Sequence, residues 1–435
     1  MNTETPDQNE RRWRRIVRVA VVDLAPLRHR DFRLLSIGRA VSFAGGMVTY
    51  VAIPFQVYEL THSSLAVGLL GLAEAVPLVV AALIGGALAD ANDRRRQTWL
   101  TEIGLTACSA ALLGNAALSH PLVALLYVIA AVMGTLEGLQ RPALEAMVPR
   151  IVPREELKAA SAVGALRMTV GMIAGPALGG VLIATTGLRG AYGFDVASFT
   201  VSLVTLALMH AVPPSVDAEP PSMRRIVEGF RYARSRPELI GTYLVDINAM
   251  FFGMPTALFP ALAVSFGGAR ALGWIYAAPA VGSFVATASS GWTRRVHRHG
   301  SAVLWAATAW GFAIIAFGLA HSLWLAFVFL ALAGGADMVS GIFRMVIWNE
   351  TIPDALRGRL AGIEQVSYSV GPALGNVEAG GVATAFSVRT SILSGGVLCV
   401  LGSAVLGAAL PAFRRYDARR LDAGAVPITQ SDGDG

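Results

Sequence analysis

The chain has 435 residues, 54% hydrophobic and 15% charged, with a mean hydropathy of +0.56 and a formal net charge of +6. Soluble chains carry about 25% charged residues, so the composition excludes soluble globular domains, bulk disorder and, with only two cysteines, a disulfide scaffold. What remains is an all-α membrane protein of many spans.

The first 30 residues form a basic tail, with five Arg among the first 20 and no continuous apolar core of a cleavable signal. Residues 13–27 set arginines against Trp13, Ile16 and Val19, a pattern that fits an interfacial helix or a solvated tail. Crossing a hydrocarbon core takes roughly 20 apolar helical residues. Residues 103–136 carry no charge and are too long for one span, with a natural break at Ser119-His120-Pro121; residues 299–336 repeat this around Ala320-His321-Ser322. With the other runs, spans are predicted at 33–58, 65–89, 97–118, 121–143, 159–185, 191–211, 239–264, 270–292, 301–319, 322–346, 358–384 and 389–410. The resulting division is a tail (1–30), a six-helix half (31–211), a central loop (212–238), a second six-helix half (239–410) and a tail (411–435).

Basic residues cluster at 11–33, 94–96, 141–158, 224–236, 294–298, 344–359 and 414–420, at both tails and every even-to-odd connection. The other side receives only Arg189, Arg270 and Arg389. The positive-inside rule then places both termini in the cytoplasm. All basic residues but Lys158 are Arg, and Lys158 follows Glu155-Glu156-Leu157 rather than a glycine loop, so no phosphate cradle exists. No nucleophile–base constellation, metal spacing or cofactor motif is present, and the placement of the arginines removes a nucleic-acid reading. Cys108 and Cys399 sit inside apolar runs and read as small buried hydrophobes.

The halves echo each other. Gly175-Pro176-Ala177-Leu178-Gly179 recurs as Gly371-Pro372-Ala373-Leu374-Gly375, and Val152-Pro153 with Glu156-Leu157 is matched by Ile352-Pro353 with Ala355-Leu356. Arg141, at the end of the fourth span, is matched by Arg344 at the end of the tenth. Parallel repeats of six spans describe a rocking transporter with its cavity between the halves.

The connection after the second span, Gly86-Ala87-Leu88-Ala89-Asp90-Ala91-Asn92-Asp93-Arg94-Arg95, resembles the signature loop of the major facilitator superfamily, with Ala91 and Asp93 in place of the usual Arg and Gly. The resemblance implies a conformational latch in which Asp90 faces the start of the eleventh span, near Arg357-Gly358-Arg359, when the cytoplasmic side is shut; Arg94 and Arg95 belong to the same loop. The bland alternative is a positive-inside anchor. The second-half counterpart, Ser290 to Arg295, lacks the acid. In the fifth span Gly171, Gly175, Pro176, Gly179 and Gly180 resemble the antiporter motif of exporters, glycines at i, i+4 and i+8 permitting close helix approach. Over residues 30–412 the chain is similar to the enterobactin-exporting group and its drug-exporting relatives: Asp31-Phe32-Arg33, residues 51–56, Leu60-Thr61-His62-Ser63, Phe259-Pro260-Ala261-Leu262-Ala263, residues 275–279 and 356–359 carry this. The resemblance implies proton-driven export of amphipathic organic molecules. Solute uptake, or a receptor that kept the fold without transport, are the competing readings.

Ionisable residues at depth are the coupling or cargo candidates, because an unpaired charge in hydrocarbon costs about 2.5–3.5 kcal/mol or more. Glu74 lies near the midplane of the second span, and Asp246 and Asp337 lie deeper than the basic loops, with Arg39 and Arg167 at comparable depth. Either the acids carry protons, or Asp246–Arg39 and Asp337–Arg167 are fixed interhelical pairs. Glu102, Glu137 and Glu364 are placed near cytoplasmic ends, as partners of loop arginines. Tyr50, Phe55, Phe251, Phe252 and Trp274 line a cavity or pack in core and lipid. The expected partners are a small-molecule cargo, protons and the bilayer, and the expected functional unit is a monomer.

Overall fold

The computed structural model describes residues 23–213 and 231–417. The tail before residue 23, residues 214–230 of the central loop and the tail beyond 417 lie outside them, and so does most of the expected interfacial stretch 13–27. Among the described residues the chain is helices and turns without strands. Helices α1 (Arg30–Thr61), α2 (Ser64–Ala91), α3 (Arg94–Ala117) and α4 (Val123–Ile151) come first. Then Leu157–Ala207 runs as one continuous element that divides at Gly187 into α5 (157–186) and α6 (188–207). Gly187 has φ 71, in the left-handed region where glycine alone is unstrained, and this lets the chain reverse without a loop. The second half comprises α7 (Pro237–Phe252), continued through a turn at Thr256–Leu258 by the short helix Phe259–Ser265, then α8 (Ala269–Ala288), α9 (His299–Gly318), α10 (Leu323–Thr351), α11 (Asp354–Ala385) and α12 (Val388–Ala409).

Nine elements among the described residues are long and apolar enough to cross a membrane, one being the α5–α6 element that divides in two. Helices α3 and α11 have spanning length at about 1.5 Å per residue but carry more polar residues. The architecture is consistent with twelve spans. Local chemistry sets the ends: the side chains of Ser63, Asp93, Ser322 and Ser387 each accept a hydrogen bond from a backbone N–H of the first helical turn. The expected break at 119–121 is closed by Asn115, whose Oδ1 accepts from Leu122 N at 2.9 Å.

The repeat is visible in register. Helices α4 and α10 are both 29 residues long and begin 200 positions apart, which puts Glu137 and Asp337 at the midpoint of each. Arg189 donates to the last carbonyls of α3, Ala116 at 3.2 Å and Ala117 at 3.1 Å, and Arg389, 200 residues later, donates to Ala320 just past α9. Each arginine satisfies orphan carbonyls at a helix end.

Among the described residues, the contacts between the halves gather at one end. At the arginine-poor end, α2 packs against α11, where a Cβ on Gly68 would lie 2.3 Å from Asn376 O and one on Gly380 would lie 2.6 Å from Ser64 O. There too α5 packs against α8, where a Cβ on Gly180 would lie 2.6 Å from Ala269 O and 2.9 Å from Gly273 Cα. The largest apolar core is continuous across both halves at this end, joining Val51 and Ile183 to Leu272 and Ile275. Toward the basic end the core breaks into smaller clusters, each confined to one half: Leu35, Met147 and Leu206 in the first, Val303, Phe343 and Ile347 in the second. Gly86 and Gly164, near that end, face open space.

Candidate functional site

Among the described residues, the buried charges are held separately in each half. In the first half Arg39 of α1 donates to Gln140 Oε1 of α4 at 3.1 Å, and Gln140 Nε2 donates to Glu102 Oε2 of α3 at 2.5 Å, with Arg39 Nη1 at 3.9 Å from the same oxygen. Glu102 is fully buried. The expectation that Glu102 pairs with loop arginines is therefore corrected: it is the anion of a three-helix network. Glu137, placed by sequence near a cytoplasmic end, sits at the centre of α4, because that helix continues to Ile151. It lies within electrostatic reach of Arg39, Arg141 and Glu102, and of Glu74 on α2. Arg141 pairs with Glu145 one turn on, at 3.7 Å, and is exposed; in the 200-residue register of α4 and α10 its position corresponds to Gly341, so the expected match with the buried Arg344 is not kept.

In the second half Arg344 of α10 contacts Asp246 of α7 directly, both side chains buried, and its other terminal nitrogen lies 3.5 Å from Asp337 Oδ1. The guanidinium sits 5.6 Å from the ring centre of Tyr368 on α11, within cation–π range. Both fixed pairs considered from sequence are thus overturned: Asp246 pairs with Arg344 and not Arg39, and Asp337 with Arg344 and not Arg167. Depth along the membrane brought Asp246 and Arg39 together on paper, but helix rotation turns each toward its own half. Asp246 has the tighter contact, whereas the Asp337 side chain is 40% exposed. A small cleft lined by Val245, Asp246, Trp310, Asp337 and Ser340 opens beside them. Arg167 on α5 is half-buried and, among the described residues, makes no ion pair. It lies within electrostatic reach of Arg39.

Glu74 is half-buried on α2, whose backbone is packed against α4: a Cβ on Gly134 would lie 2.2 Å from Glu74 O. Tyr50 is within electrostatic reach of Glu74 and stacks edge-on against Tyr276 of α8, ring centres 5.4 Å apart. Phe259 lies next to Tyr276 at 5.1 Å. These rings lie where the halves meet. Phe55 is buried in the core, Phe251 packs edge-on against Phe252, and Trp274 is exposed beside Phe327.

The arginines of the signature loop make contacts within their own half. Arg95 donates from Nε to Leu206 O at 2.7 Å and from Nη2 to Ala207 O at 2.6 Å, capping the last carbonyls of α6. Arg94 is buried and donates to Pro213 O at 3.1 Å, and its Nη2 lies 3.8 Å from Asp90 Oδ1. The Asp90 side chain is 44% exposed. The side chains of Arg357 and Arg359, the expected opposite face of the latch, lie outside the described residues, as does that of Glu364. In α5 the expected close approach takes a definite form: Gly171, Gly175 and Gly179 face Phe43, Met47 and Val48 of α1, while Pro176 and Gly180 face Gly273 of α8.

Sequence reasoning missed Asp195, at mid-depth in α6 and fully buried. Its Oδ2 accepts from Thr49 Oγ1 at 2.6 Å and Ser109 Oγ at 2.7 Å. It also missed Gln140 and the role of Arg344, since a glutamine inside a span and an arginine near a helix end carry no partner information by themselves.

Known proteins resemble this chain over nearly its whole length. Residues 21–428 match the family described as transmembrane secretion effector. The enterobactin exporter EntS of Citrobacter koseri is 29% identical over 379 residues, 86% of this chain and 90% of that protein. Its namesake from Escherichia coli O157:H7 is 28% identical over 410 residues, 93% and 96% of the two chains. Among solved structures, the nucleoside transporter NupG aligns with a TM-score of 0.71 at 12% identity, covering 89% of this chain and all of that one. A bacterial homologue of the lysosomal transporter Spinster, captured inward-facing and unoccupied, aligns with a TM-score of 0.67 at 17% identity over 90% and 99%. At these identities the structures speak to fold alone.

Proposed function

The chain belongs to the transmembrane secretion effector family, and from that premise we propose that it exports small amphipathic organic molecules by alternating access, with proton antiport as the driving force. The observation that carries this reading is the asymmetry of the halves among the described residues: they close on each other at the arginine-poor end through the glycine contacts of α2 with α11 and α5 with α8, while toward the basic end the core divides between them, so we read that end as the opening. With the basic face assigned to the cytoplasm, the opening faces the cytoplasm, which is the loading state of an exporter. A half-buried arginine with no ion pair among the described residues suits an anionic group, and the tyrosine pair suits a flat or aromatic surface. The relatives are named as enterobactin exporters, so an iron-chelating cargo of that class is the first to try.

For coupling, Glu74 and Asp337 are the exchangeable carboxyls, since neither side chain is fully buried. Asp246, held against Arg344, serves as a fixed anchor and no longer ranks beside them. Asp90 acts in the opposite state, when the basic end closes and brings it to the start of α11. The protein works as a monomer, and both termini lie in the cytoplasm. The test is transport in everted vesicles: energised vesicles accumulate the chelator or an amphipathic drug, and a protonophore abolishes accumulation. Glu74→Gln inserts normally and loses pH-gradient-driven accumulation while keeping counterflow exchange. Accumulation in right-side-out vesicles instead makes the protein an importer.

A further inference from the structure

We propose that Asp195 is a buried proton-binding site at the joint of α1, α3 and α6, filled in the arrangement described here and exchanged during transport. The exchange part rests on the antiport reading above; occupancy by a proton does not.

The geometry sets out the requirement. Thr49 and Ser109 both direct their hydroxyls to one carboxylate oxygen, Oδ2. Ser198 lies 3.4 Å from the other oxygen, Oδ1, but its hydroxyl donates over the shorter distance of 2.8 Å to the Asp195 carbonyl. One hydroxyl has one hydrogen. Toward Oδ1, Ser198 therefore presents an acceptor, and the complementary partner is an O–H on Oδ1 itself. A proton there leaves Oδ2 as a carbonyl accepting two hydroxyls, with Ser198 Oγ the nearest acceptor facing Oδ1.

The surroundings agree. Buried charges are ordinarily paired with an opposite charge, yet among the described residues no Arg, Lys or His forms an ion pair with Asp195. The charged groups in electrostatic reach are Glu102 on α3 and Glu137 on α4, both acids. On α6 the neighbouring titratable group is Tyr192, whose hydroxyl donates to Gln56 at 2.7 Å. The nearest basic residue of α1 in sequence, Arg39, is engaged ten residues toward the basic end with Gln140 and Glu102. The pocket is also tight. Gly45 of α1 lies directly over it, and a Cβ there would be 2.6 Å from Oδ1 and 1.9 Å from Ser198 Oγ. A bare proton fits this space; a hydrated cation does not.

In the exchange step the Oδ1–H bond breaks, the electron pair stays on Oδ1, and the proton passes to a water molecule reaching the joint. The reverse transfer, from hydronium on the other side of the membrane, restores the neutral acid. Nothing is oxidised or reduced.

Asp195→Asn is the natural variant, since it keeps the shape and is permanently neutral. Infrared spectra of the full-length protein in detergent at neutral pH should contain a protonated-carboxyl stretch that shifts in heavy water and disappears in Asp195→Asn. In Thr49→Val the same stretch should move, because one bond to its carbonyl oxygen is gone. If no component of that region is lost in Asp195→Asn, Asp195 is ionised and the proposal is overturned; failure of Asp195→Asn to fold overturns it equally, because a mimic of the neutral acid must be tolerated. In liposomes Asp195→Asn should retain counterflow and lose accumulation driven by a pH gradient. Loss of the band with full gradient-driven accumulation refutes the exchange role. If wild-type transport itself ignores a protonophore, the antiport reading falls, and with it the exchange role, while the spectra still decide whether Asp195 holds a proton.

Discussion

Replacing Gly180 by alanine should open the sealed end. In the present arrangement the added Cβ would sit 2.6 Å from Ala269 O and 2.9 Å from both Gly273 Cα and Gly273 N. All three are backbone atoms of α8, so no side chain can swing aside. Overpacking of this kind costs about 1–3 kcal/mol, and it falls on one conformation alone, because α5 and α8 separate at this end when the transporter turns outward. At 1.4 kcal/mol per tenfold, the ratio of the two states should shift by about 5- to 150-fold toward the outward-open form. Single cysteines introduced beside Ala269 and near Gly68 report the change as faster labelling by an impermeant thiol reagent, against the buried native Cys108 and Cys399. Gly46→Ala is the control: it lies in α1 with open space where the Cβ goes and should change nothing. Equal labelling of Gly180→Ala and wild type, with undiminished transport, refutes the idea that this contact sets the closed state.

Arg95→Gln removes donors to Leu206 and Ala207 carbonyls at the end of α6, and should lower stability by about 1–3 kcal/mol, read as a lower melting temperature in detergent with insertion unchanged. Asp246→Asn should cost about 3–5 kcal/mol by removing the closer of the two carboxylates that face the buried Arg344, whereas Asp246→Leu with Arg344→Met should recover most of that loss; if the double variant melts no higher than the single, the pair is not the source. Asp90→Asn should insert normally, impair transport and raise the inward-facing fraction in accessibility labelling, the outcome expected when the proposed closed-state contact with the start of α11 is weakened.

The helix pattern was legible because length and charge alternation are one-dimensional properties. A run such as 103–136 must break, and the hinge at 119–121 is where Asn115 and Leu122 close the turn. The glycines of α5 announced a close approach, though not that Gly180 meets α8 while Gly175 meets α1. Charge pairing was not legible. Asp246 and Arg39 share a depth, but which residues touch depends on the rotation of α7 toward α10 and of α1 toward α4, and nothing in one sequence fixes rotation. Asp195 escaped for a related reason: its partners Thr49 and Ser109 come from two other helices, and ordinary hydroxyl residues inside spans raise no flag.

The Arg39–Gln140–Glu102 network and the Arg344–Asp246 contact each begin and end within one six-helix half. During synthesis the first half therefore has its counter-charges in hand before α7 emerges from the ribosome. It can leave the insertion machinery with the Arg39 network already complete, so that this arginine waits for no partner from the second half. The same self-sufficiency means that a gene cut within residues 212–238 should yield two polypeptides that each insert alone and then find one another through the glycine contacts at the sealed end.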